Sequence, residues 1–254
     1  MKIMQLERKE FGVGETCLIM LHGNSLDPTI FNPLIDELKG KLKIITLCLP
    51  GHGNSQKPDK YSIESLSETI INNINCVEVK KYVLAHSLSG HLVLQGLQKL
   101  KNVSGVICVG TPPLGNPSNT ITAFTRLGKL MNNAYWTQSE EKKIIDGLSK
   151  NQTLLLENIL RKSDPDFREA ITTSDFLAGF ANEIDNLNET NIPVHLIYST
   201  DDEYVDLSYC TGLTNVIKNP NVKINFIDYG GHLPFFNFPA DFCKIIETAT
   251  KVKL

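Results

Sequence analysis

Short apolar runs separated by helical patterns constrain this chain more than any other feature of its sequence. Residues 17–21 read Cys-Leu-Ile-Met-Leu without a polar interruption. That is the composition of a parallel strand buried on both faces, not of a strand with one wet side. Comparable runs occupy 44–49, 82–84, 103–109, 194–198 and 222–228. Helical periodicity fills the intervals at 29–39, 63–74 and 91–100, continues to about 218 after the fifth run, and closes the chain at 239–251. This alternation predicts an α/β fold built on a mostly parallel, doubly wound sheet. The segment up to residue 15, with Gly12 and Gly14, predicts a short edge hairpin. Ligands in such sheets lie at the carboxyl ends of the strands. His22-Gly23-Asn24, the turn at Pro50, Ser87 and Thr111 all fall at such ends.

The joint at Ser87 carries chemistry. A strand that turns at once into a helix strains the residue at its apex and brings its flanks so close that only small side chains fit. In return it thrusts a hydroxyl clear of the backbone at the positive end of a helix. Here Ala85 stands two before the serine, Ser89 two after it, and Gly90 follows. The stretch resembles the nucleophile elbow of the α/β-hydrolase family, usually Gly-x-Ser-x-Gly, with Ala and Ser where glycine is usual. On that resemblance the chain is expected to have the α/β-hydrolase fold with an inserted helical cap.

A serine hydroxyl needs a base, and the base needs an acid to fix its tautomer. The order Ser, Asp, His is that of the family. His232 follows Gly230 and Gly231 at the end of the last run, where the backbone can place its ring near the elbow. The family shape Gly-x-x-Asp-x-x-Val aligns with Ser199 to Val205 and makes Asp202 the orienting carboxylate, leaving Asp201 as a solvated loop residue or cap. The backbone N–H of Leu88, just after the nucleophile, is one expected oxyanion donor. The resemblance implies a second from Asn24, through His-Gly-x after a strand. His22 and His52 are read as structural, His86 and His91 as pointing away from the site, and His195 as a strand residue.

From 114 to 191 strand-like runs vanish and the pattern is helical, like the cap of the family. Residues 1–113 and 192–254 are then the core. Phe124, Trp136 and Phe176 from the cap, with Leu233 beside the histidine, are candidates for an apolar substrate pocket.

Composition narrows the rest. A net charge of −3 gives no reason to expect nucleic acid or an anionic membrane surface as a partner. Neither a signal peptide nor a membrane span is recognisable. The six cysteines are scattered without a C-x-x-C pair, and are read as buried free thiols in a reducing, cytoplasmic setting. No metal or organic cofactor is implied, and the protein is expected to be a monomer or homodimer acting on a small molecule. The leading reading is a serine esterase that cleaves a small or medium, largely apolar carboxylic ester through an acyl-Ser87 intermediate. The same triad serves C–C hydrolysis of ring-fission products, thioester hydrolysis or cofactor-free perhydrolysis. A hydrolase-like receptor or signalling protein is the alternative from another class.

Overall fold

The computed structural model describes residues 4–149 and 153–254. Its strands are β1 (Arg8–Phe11), β2 (Cys17–Leu21), β3 (Lys43–Leu47), β4 (Lys81–His86), β5 (Val103–Val109), β6 (Val194–Ser199) and β7 (Val222–Ile227). They form one sheet in the order β1-β3-β2-β4-β5-β6-β7. All neighbours are parallel except β1, which runs antiparallel to β3. The expected edge hairpin is therefore not formed. β1 passes over its neighbour in sequence and adds to β3, with Arg8 opposite Leu47, because β2 is already paired on both sides by β3 and β4.

The apolar runs divide between two cores by strict alternation, as side chains two apart share a face. Ile19, Leu21, Val83, Ala85, Cys108 and Leu196 face one side, under the helices Ile63–Asn75 and Leu88–Gln95. Leu18, Met20, Leu84, Ile107, Val109 and Ile197 face the other, against the helices Asn32–Leu38 and Pro239–Thr250. A continuous apolar run was needed because neither face is wet.

Between β5 and β6 the described residues form helices and turns, with an isolated bridge of Phe124 to Val205. The first part of this segment holds two separate helices, Thr120–Ala123 and Arg126–Met131. The Thr125 hydroxyl accepts from Gly128 N–H and starts the second one afresh. The helix Ser174–Ala178 is short, and Asn182 caps a further helix, Glu183–Glu189.

All six cysteines are free, but the expectation of uniform burial is corrected. Cys17, Cys48, Cys108 and Cys210 are buried, whereas Cys76 at the end of a helix is exposed and Cys243 half-buried. Among the described residues no helix is long and apolar enough to cross a membrane.

Candidate active site

The elbow forms at the centre of the sheet. Ser87 has φ 52° and ψ −118°, a region that a residue with a Cβ occupies only where its surroundings fix it. Here they do. Its N–H donates to Val109 O at 2.8 Å, and its carbonyl accepts from Gly90 N–H at 2.9 Å and the Thr111 hydroxyl at 2.8 Å. A Cβ on Gly90 would lie 2.0 Å from Thr111 Oγ1, so this close approach requires glycine. The two departures from the usual glycines are accommodated. Ala85 is buried in the core. Ser89 donates its hydroxyl to Leu21 O at 2.8 Å and His86 O at 3.0 Å.

Two loops at strand ends supply the acid and the base. Asp202 follows β6 and His232 follows β7, and His232 Nδ1 donates to Asp202 Oδ2 at 2.8 Å with both side chains buried. The other carboxylate oxygen accepts from Tyr204 N–H at 2.7 Å, so Asp202 is oriented from the backbone as well. Asp201 has a different task. It is exposed and accepts from Gly231 N–H at 2.8 Å and Gly230 N–H at 3.3 Å, which holds the turn that precedes the histidine. The Nδ1–H commitment leaves Nε2 as the basic nitrogen of a neutral His232. No hydrogen bond joins that ring to Ser87 Oγ in this conformation, although both residues line one cavity. Contacts of that kind tighten when substrate binds.

Two neighbours of the base carried no signal in sequence. The Tyr204 ring stacks on His232 at 4.6 Å between centroids, its hydroxyl bonded to Ile144 O. His86 was expected to point away, but its ring packs 4.7 Å from that of His232 and its Nε2 donates to His232 O at 2.9 Å. Burial holds the His86 imidazole well below its ordinary pKa, so it carries no charge to repel a protonated His232.

Among the described residues the N–H groups of Asn24 and Leu88 have no acceptor. They are held near the serine, since a Cβ on Gly23 would lie 3.0 Å from Ser87 Cβ. The loop that carries Asn24 is fixed by the two histidines read as structural. His22 Nε2 accepts from Leu49 N–H at 3.0 Å, and His52 Nε2 from Ser25 N–H at 3.1 Å. The Asn24 side chain donates to Asn132 Oδ1 at 2.9 Å and to Met131 O at 3.4 Å.

A cavity of about 310 Å³ opens over Ser87 and His232. Of the expected pocket residues, Phe124 and Phe176 line it, and Trp136 and Leu233 do not. Trp136 instead packs beneath the Arg168 guanidinium, 4.3 Å from its ring, and donates to Leu130 O at 2.9 Å. Leu233 turns into the core on the opposite face of the sheet from the elbow helix. His91 also departs from expectation. It lines the cavity, with Nδ1 held by Glu183 at 2.9 Å.

The model of the Alpha/beta hydrolase family matches residues 18–245. A pimeloyl-[acyl-carrier protein] methyl ester esterase of Wigglesworthia glossinidia brevipalpis is 26% identical over 93% of this chain and 94% of its own. Among solved structures, the N-acyl homoserine lactonase AidH complexed with N-butanoyl homoserine superposes with a TM-score of 0.84 at 23% identity, covering 97% of this chain and 94% of that one. The esterase EaEST from Exiguobacterium antarcticum gives 0.78 at 15% identity, over 98% and 96%.

Proposed function

The chain belongs to the alpha/beta hydrolase family, and from that premise we propose that it cleaves a small or medium, largely apolar carboxylic ester with Ser87 as nucleophile, His232 as base and Asp202 as its orienting acid. Residues 114–191 act as a cap over the core formed by 1–113 and 192–254. The observation that carries this reading is the buried Asp202–His232 pair beside a serine held at φ 52°. The names of the relatives support it, since a methyl ester and a lactone are both acyl esters. The cap reading is supported by Phe124, Met131 and Phe176 lining the cavity.

The chemistry follows from the geometry. Ser87 Oγ attacks the ester carbonyl as its proton passes to His232 Nε2. Asp202 stabilises the imidazolium that results. Negative charge collects on the former carbonyl oxygen, where the N–H groups of Asn24 and Leu88 receive it. Each such donor is worth roughly 3 kcal/mol of barrier. Collapse expels the alcohol, which takes the proton from His232. A water that gives its proton to the same nitrogen then attacks the acyl carbonyl; the bond to Ser87 Oγ breaks, Oγ takes the proton back from His232, and the carboxylic acid leaves.

A series of short p-nitrophenyl esters assayed with wild type and Ser87→Ala tests the proposal. We expect a chain-length-dependent rate that falls at least ~10³-fold in the variant. Equally slow hydrolysis by both proteins would remove Ser87 as an ester nucleophile and turn the search to ring-fission products or a bound ligand.

A further inference from the structure

The elbow helix Leu88–Gln95 presents a second ionisable group to the cavity. His91 lies four residues beyond Ser87, in the first turn of the helix that follows the elbow. Its Nδ1 lies 2.9 and 3.1 Å from the two oxygens of Glu183. Glu183 is fully buried and is not among the cavity-lining residues. It also accepts from Leu114 N–H at 2.8 Å and Gln95 Nε2 at 2.9 Å. These donors fix the carboxylate, and through it the imidazole. An ionised carboxylate only accepts, so the ring carries its proton on Nδ1, and the neutral ring offers a lone pair at Nε2.

Among the described residues that Nε2 has no hydrogen-bond partner. The side chain is 4% exposed, and its ring lies between those of Phe124 at 6.0 Å and Phe180 at 5.6 Å, both of which line the cavity. Nearly all buried polar side-chain atoms are satisfied, so an orphaned acceptor needs an explanation. His91 itself lines the cavity, whereas Glu183, which holds its Nδ1 edge, does not.

We infer that His91 is a specificity-determining residue of the ester site, where its Nε2 accepts a hydrogen bond from a hydroxyl of the substrate a few bonds from the scissile carbonyl. Ser87 and His91 line the same cavity, so one bound substrate can reach both. A substrate that offers only methylenes there leaves the nitrogen unpaired and is discriminated against. This inference rests on the esterase reading of the preceding subsection.

Two ester pairs matched in shape, with hydroxyl for methyl, provide the test. Ethyl 3-hydroxybutanoate against ethyl 3-methylbutanoate places the hydroxyl on the acyl side. 2-Hydroxypropyl butanoate against isobutyl butanoate places it on the alcohol side. Wild type is expected to favour the hydroxylated member of one pair roughly tenfold in kcat/KM, and His91→Phe to abolish that preference. The preference is a ratio within one preparation, so loss of folded protein cancels from it; if His91→Phe gives no active protein, His91→Leu is read in the same way. Turnover without a preference in either pair, or a preference that survives loss of the imidazole, would overturn the role of His91 alone. Absence of Ser87-dependent turnover of all four esters would overturn the esterase reading beneath it.

Discussion

The side-chain amide of Asn24 donates to Asn132 Oδ1 at 2.9 Å, which ties the loop proposed to offer an oxyanion N–H to the helical segment above it. Asn132 lies just past the helix Arg126–Met131, more than a hundred residues away in sequence. The bond has a direction of consequence. It holds the side chain of the residue whose backbone N–H is the proposed second oxyanion donor.

Asn132→Ala removes the acceptor and leaves Asn24 in place. A neutral hydrogen bond of this kind contributes roughly 0.5–1.5 kcal/mol. We expect kcat to fall about two- to tenfold, through a looser oxyanion donor, with KM changed less. Steady-state kinetics on the best p-nitrophenyl ester checks this. A variant with unchanged kcat would show that the fastening does not position the N–H.

Asp202→Asn separates orientation from folding. The substituted amide keeps Oδ1 for the N–H of Tyr204, so thermal stability should change little. What is lost is the carboxylate that accepts from His232 Nδ1 and stabilises its protonated form. By analogy with other triads in which this acid is neutralised, the expected loss in kcat is about 10³- to 10⁴-fold. A loss below tenfold would assign the base's orientation to Tyr204 and His86 instead.

His22 and His52 make the fold sensitive to mild acid. Burial lowers the pKa of His52 to about 4 and drives that of His22 well below its usual range. The unfolded chain takes up a proton at each near pH 6.5. At pH 5, then, the unfolded state binds protons that the native state refuses. Stability is full above about pH 6.5 and falls as pH drops, with the His52 contribution fully lost near pH 4. For His52 the loss is on the order of 3 kcal/mol. Urea midpoints measured between pH 7 and pH 4.5 should fall steeply in wild type and less steeply in His52→Gln. Equal slopes would place the acid sensitivity elsewhere.

The features legible in the sequence share one property: each is dictated locally. The run 17–21 had to be doubly buried whatever lay around it, and both faces are core. A small-residue joint between strand and helix had to hold Ser87 in a strained turn, and the turn is there. The resemblance to the family shape Gly-x-x-Asp-x-x-Val favoured Asp202 over Asp201, and the glycines before it favoured His232. The structure brings those two side chains together.

What escaped the sequence depends on contacts between distant segments. The pairing of β1 with β3 is set by which sheet edge stays free, which no local pattern records. Trp136 and Phe176 look alike in a helical pattern, and only the packing of Arg168 over one ring takes it out of the cavity. His91 beside the nucleophile gave no sign of its direction. Glu183, which sets that direction, reads in the sequence as an ordinary acidic residue in the first turn of a helix.

Ser89 occupies a position where the family usually has glycine, and its hydroxyl reaches Leu21 O at the end of β2. The helix that bears the nucleophile is thus bolted to the strand that runs into the Asn24 loop. The proposed nucleophile and the proposed oxyanion donor are thereby tied to adjacent strands of one sheet, β4 and β2. Movement of the helical segment above would alter who gains entry, while the distance across which the carbonyl is attacked stays under the control of the strands.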